Sequence, residues 1–193
     1  MQFTLISEIK KVKNKSTLKK IYFAISLIIV LALFVLIFCL SHENGEDSTE
    51  TSGWFTTLIN FILPFPVSES VVRTLAHFSE FACLSFFMNN LFVAYKDKLS
   101  PIIACALAFV YAITDEIHQI FVPGRACQFI DMMVDLAGIV SGMAVYVVIY
   151  ALVKKVATLR IENWKLKVEN FGNASRLIII TLNNKDYILS FLL

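Results

Sequence analysis

Residues 21–40 form a run of 20 residues without a charged side chain, directly after a segment that holds Lys10, Lys11, Lys13, Lys15, Lys19 and Lys20. At ~1.5 Å per residue a helix of this length reaches about 30 Å, the thickness of a bilayer's hydrocarbon core. A cleaved signal peptide would carry a shorter apolar region of roughly 7–15 residues that ends in small residues. Lipoprotein processing needs a small residue before its cysteine, and Phe38 precedes Cys39. The run therefore predicts a membrane span, and lipid becomes the solvent against which the remainder folds.

Composition agrees. The chain is 58% hydrophobic and 17% charged, below the roughly 25% charged of an average soluble domain. Its basic residues stand in blocks beside apolar runs, which excludes a nucleic-acid-binding surface. Three further spans are expected at about 70–95, 101–121 and 129–153. Ser68 and Glu69 open the first of these, Ser100 and Pro101 the second, and Pro123-Gly124 closes the second. The fold class is an all-α membrane protein, a bundle of four transmembrane helices. Its domain covers 21–155, between a basic N-terminus (1–20) and a tail (156–193).

Residues 41–72 carry Glu43, Glu46, Asp47, Glu50 and Glu69 and no Lys or Arg, as expected of an external loop. Inside it, the apolar stretch 54–63 is too short to span and is expected at the interface. In the tail, residues 164–168 alternate, and 176–182, Asn183-Asn184 and 185–193 read as a hairpin, so a small β element is expected there. Cys39, Cys83, Cys105 and Cys127 have no paired or metal-finger spacing and read as small buried residues.

The basic residues set the orientation. Six lysines precede the first span, Lys96 and Lys98 lie between the second and third, and Lys154, Lys155, Arg160, Lys165 and Lys167 follow the fourth. Only Arg73 and Arg125 fall on the other side. Both termini are thus expected in the cytoplasm, with the bilayer as the first partner.

The candidate chemistry lies on helical stripes near the outer ends of the spans. Arg73, His77 and Glu80 are at i, i+4 and i+7; Asp115, His118 and Gln119 at i, i+3 and i+4, with Glu116 on an adjacent strip; Asp131 and Asp135 open the fourth span. Asp115 and Asp135 would lie about 10 Å deep and Glu80 about 15–18 Å. A charge at the centre of a span costs at least ~2.5–3.5 kcal/mol, so these acids are expected to face one another and not lipid. Gly138 and Gly142 continue the stripe of Asp135 and should let another helix approach closely. Two arginines face five carboxylates, a balance too acidic for a simple phosphate receptor. Either some acids are neutral or a divalent cation completes the set, with Glu80, Asp115, His118, Asp131 and Asp135 as candidate ligands.

The stretches Val72-Arg73-Thr74-Leu75-Ala76-His77-Phe78-Ser79-Glu80-Phe81, Asp115-Glu116-Ile117-His118-Gln119-x-Phe121-Val122-Pro123-Gly124-Arg125 and Asp131-x-x-x-Asp135-x-x-Gly138-x-x-x-Gly142 resemble the VanZ-like family. So does the pattern Ser41, Ser48, Ser52. The resemblance covers roughly residues 20–155; Thr74 stands where a basic residue is common, and the tail lies outside it. It implies a four-span bacterial membrane protein, in a family named for a member that gives low-level resistance to the glycopeptide teicoplanin. The expected function is an outward-facing site that acts on or binds a lipid-linked envelope precursor. A hydrolase or transferase would use Glu80 or His77 as base, Arg73 and Arg125 on a phosphate, and the acids on a metal. Two other readings are a non-enzymatic module whose polar stripe is structural, and a small ion or proton pathway.

Impermeant thiol reagents applied to intact cells should label a cysteine placed at Glu46 and not one placed at Ser16 or Lys165. The reverse pattern would invert the orientation.

Overall fold

The computed structural model describes residues 2–169. Five helices follow in order: α1 (Gln2–His42), α2 (Gly45–Ile62), α3 (Glu69–Lys96), α4 (Pro101–Gln119) and α5 (Phe129–Glu169). No strand occurs among the described residues. Four helices are long and apolar enough to cross a membrane, over Ser16–His42, Glu69–Lys96, Pro101–Gln119 and Phe129–Trp164. The expected hairpin of the tail lies outside the described residues. The strand-like alternation at 164–168 is not a strand, because α5 continues without a break to Glu169.

The chain divides into two compact units, and the candidate site belongs wholly to the one formed by 23–146. The other, at the two ends of the chain, holds the first part of α1 and the last part of α5.

Helix boundaries follow local chemistry. Asn44 caps α2 by accepting from the backbone N–H groups of Glu46 and Asp47. The helix therefore begins nine residues before the apolar stretch that the sequence had suggested, and the acidic loop is mostly helical. Its apolar residues Trp54, Leu58, Phe61 and Ile62 are exposed, as fits a helix seated at an interface. The Asn60 amide holds both the N–H and the carbonyl of Val67, so that Pro64 and Pro66 sit inside a fixed turn. Ser68 caps α3 through the Val71 N–H at 3.4 Å, and Asp97 ends it in the left-handed region at φ 54°. Pro101 opens α4 as expected, but Ser100 makes no side-chain cap bond.

The core holds Val30 and Ile37 of α1, Phe81, Leu84 and Met88 of α3, Ala104, Ala108 and Ala112 of α4, and Ile139 of α5. In lipid no hydrophobic force draws helices together, so close packing and interhelical hydrogen bonds hold the bundle. Small side chains supply the packing. The alanines of α4 are fully buried at i, i+4 and i+8, and α4 packs on α3. Polar pairs supply the bonds: Asn90 of α3 donates to Ser26 of α1 at 2.9 Å and accepts from Tyr146 of α5 at 3.4 Å. Tyr111 of α4 donates to the Phe34 carbonyl of α1 at 2.7 Å. The cysteines are free, and Cys39, Cys83 and Cys127 are exposed, contrary to the buried placement expected for them.

The expected close approach at the glycines is present. A Cβ on Gly138 would collide with the Phe78 carbonyl, and one on Gly142 with the Ala82 carbonyl. Both neighbours are backbone and cannot swing aside. Gly142→Ala should therefore already lower stability, and Gly142→Leu should cost at least the ~1–3 kcal/mol typical of overpacking. Thermal melting in detergent measures this, and an unchanged midpoint for the leucine variant would remove the packing role.

Candidate functional site

At the end of the bundle where α1 stops and α3 and α5 begin, two cavities meet around His77. The larger, of about 550 Å³, is bounded by α1, α2, α3 and Asp115 of α4. Its apolar walls include Leu36, Leu40, Phe55, Ile59 and Leu75, and its polar end includes Ser48, Arg73, His77, Glu80, Asp115 and Arg125. The second, of about 480 Å³, is more polar and is lined by Arg73, Gln128 and Asp131; His77 lines it too.

Between the cavities lies a buried cluster. The His77 Nδ1 is 3.3 Å from Asp135 Oδ1. Glu116 accepts from the Gln128 backbone N–H at 2.9 Å through Oε2. Glu116 and Asp135 are both 0% exposed, and each keeps one oxygen without a partner, Glu116 Oε1 and Asp135 Oδ2. One donor atom from each of His77, Glu116 and Asp135 lies within 4.8 Å of the other two.

Asp115 belongs to a different set. It accepts from Gln119 Nε2 at 3.4 Å, and the same amide donates to Ser41 at 3.1 Å. This ties α4 to the end of α1 and faces the larger cavity. Sequence reasoning had not placed Ser41 or Ser48 among the site residues, although both stood in the family pattern; each is buried.

Three expected site residues take other roles. His118 leaves the cluster: its Nε2 is 3.1 Å from His42 Nδ1, and its ring stacks on His42 and lies against Phe38. With about 100° per residue, His118 and Glu116 project roughly 160° apart around α4, so one helix cannot aim both at α5. Glu116, which the sequence put on a side strip, takes the central place. Of the five ligands expected for a cation, only Asp135 stands in the three-residue group. Arg125 is engaged with backbone: its Nε donates to the Glu43 carbonyl at 3.1 Å, and its Nη2 to the Leu40 carbonyl at 3.1 Å and to Ser48 at 2.7 Å. It thus satisfies carbonyls near the C-terminus of α1, where intrahelical donors run out. Burial, and then the charge of Arg73, pulls its pKa below the usual arginine value, yet a guanidinium stays charged in proteins.

Arg73 is held more loosely. It reaches Glu69 at 3.6 Å and Thr49 at 3.5 Å, both at the limit of bonding distance, and its buried Nε has no partner. It lines both cavities.

These features define a polytopic membrane protein with four apolar helices and a polar site set into one end of their bundle. The VanZ/LLP1 family model matches residues 25–150, and the chain belongs to that family. No curated protein and no solved structure matches it.

Arg125→Ala should leave the Leu40 and Glu43 carbonyls without this donor, at a cost on the order of 3 kcal/mol. A lower melting temperature, with Arg125→Lys intermediate, is expected. An alanine variant as stable as the wild type would show that water replaces the guanidinium without loss.

Proposed function

We propose that the chain binds the phosphorylated head of a lipid-linked envelope component in the larger cavity and thereby alters susceptibility to glycopeptides of the teicoplanin type. One observation carries the reading: a single cavity joins an apolar wall on α1 and α2 to a charged end on α3 and α4. Its volume falls within the ~300–1,000 Å³ of ligand pockets. An amphiphile with an acyl or polyprenyl chain and an anionic head matches the apolar wall and the two arginines, with the acids beside them neutral or held by a cation, whereas a whole glycopeptide is too bulky for the cavity. Arg73, whose Nε is unpartnered, would take the head group, and the apolar side chains of Phe55 and Ile59 would flank the chain. With the site end outward, as the lysine distribution predicts, the ligand would come from the outer leaflet.

Glu80 and Asp115 close the charged end, and they discriminate a site from a packing device. If they only hold helices together, Glu80→Gln and Asp115→Asn should be tolerated, since amides still form hydrogen bonds and no charge is buried. The expected result is loss of the glycopeptide phenotype in a host that shows one, with normal insertion and melting. Arg73→Gln should in addition reduce co-purified polyprenyl phosphate, seen by native mass spectrometry, by about tenfold or more, the equivalent of ~1.4 kcal/mol. Full resistance with either amide variant at matched expression would return the cluster to a structural role.

A further inference from the structure

Among the charge-bearing groups that the lipid reading leaves unused are two fully buried carboxylates. Glu116 and Asp135 lie on different helices, face the same imidazole and are fully shielded from solvent. Each has one oxygen bonded to protein, the Gln128 N–H for Glu116 and His77 for Asp135. Each has a second oxygen without a hydrogen-bond partner, although the Cys127 thiol lies beside the Glu116 carboxylate. A buried polar atom left unpaired costs about 1–3 kcal/mol, and more when it carries charge. Two such atoms in one three-residue group are therefore a standing destabilisation, and helix packing does not explain it. A cation between them would remove it.

We infer that His77, Glu116 and Asp135 form a binding site for one divalent cation of the zinc–manganese type. The donor set is one imidazole nitrogen and two carboxylates, drawn from α3, α4 and α5. Imidazole suits borderline first-row ions and carboxylate suits harder ones, so a mixed set selects between them. Calcium takes roughly 6–8 oxygen ligands and is poorly served by three donors with one nitrogen. Three protein ligands also leave a coordination position open, as in catalytic zinc sites. His77 also lines the smaller cavity, together with Asp131, whose carboxylate favours a cation there. The Gln128 N–H that holds Glu116 Oε2 fixes that carboxylate's orientation, as partners of metal ligands commonly do. The site stands on its own donors and does not require the lipid reading.

The test uses the full chain, purified in detergent, stripped with chelator and then equilibrated separately with Zn²⁺, Mn²⁺ and Ca²⁺. Metal content after gel filtration should reach about one Zn²⁺ or Mn²⁺ per chain, with no retained Ca²⁺. Glu116→Gln and Asp135→Asn should weaken binding by roughly 100-fold or more, since even residues that merely orient ligands are worth 10–100-fold. Glu50→Gln, on the exposed face of α2 and in neither cavity, should bind as the wild type does. Melting gives a second readout that does not depend on the variants folding: Zn²⁺ or Mn²⁺ should raise the melting temperature of the stripped wild type. Without metal, the amide variants should melt at or above the wild type, because an amide relieves the paired buried charges. Absence of both uptake and a metal-dependent melting shift in the wild type would overturn the proposal. So would uptake that survives in Glu116→Gln and Asp135→Asn alike.

Discussion

Everything at the site depends on how near α3 and α5 can come to each other. The two helices run in the same direction, and Gly138 and Gly142 let α5 lie directly on the carbonyls of Phe78 and Ala82. One turn further toward the helix starts, that approach sets Asp135 at hydrogen-bond distance from His77. Had α5 carried ordinary side chains there, its axis would stand off and the imidazole could not reach. The small residues thus do in lipid what a hydrophobic core does in water: they fix the spacing from which side-chain geometry follows.

The loop before α5 sets the second constraint. Gly124, at φ 75°, presses against Gly45, and the Gly45 N–H donates to the Pro123 carbonyl at 3.0 Å. Arg125, next along, gathers the end of α1 and the start of α2. The turns α1–α2 and α4–α5 are thereby joined, and the Gln128 N–H is delivered to Glu116. A loop arginine read from sequence as a ligand for phosphate lines both cavities and also ties the rim together.

Four spans, the glycine contact and the stripes of ionisable residues were legible because each depends on one helix alone: its length, its apolar run, its 3.6-residue period. What was not legible depends on how helices are rotated against one another. Glu116 and His118 sit two residues apart on α4 and point to opposite neighbours, α5 and α1, and no pattern within α4 says which neighbour lies where. The alanine stripe at 104, 108 and 112 passed as ordinary apolar residues because alanine is common in spans. The pairing of His42 with His118 joins two residues 76 positions apart, and nothing local connects them. In the acidic loop, local chemistry was sufficient, since Asn44 before Glu46 and Asp47 is a helix start, but the acidic composition obscured it.

The hydroxyls of α2 bear on how the larger cavity meets its surroundings. Thr49, Ser52, Thr56 and Thr57 each donate to the carbonyl four residues earlier, in their own helix. A segment rich in serine and threonine thereby asks little of water or of its neighbours, and its sequence polarity overstates its cost in hydrocarbon. Ser52, which lines the larger cavity beside Phe55 and Ile59, has its donor already spent inside α2, so an occupant of that cavity meets few free donors along this wall.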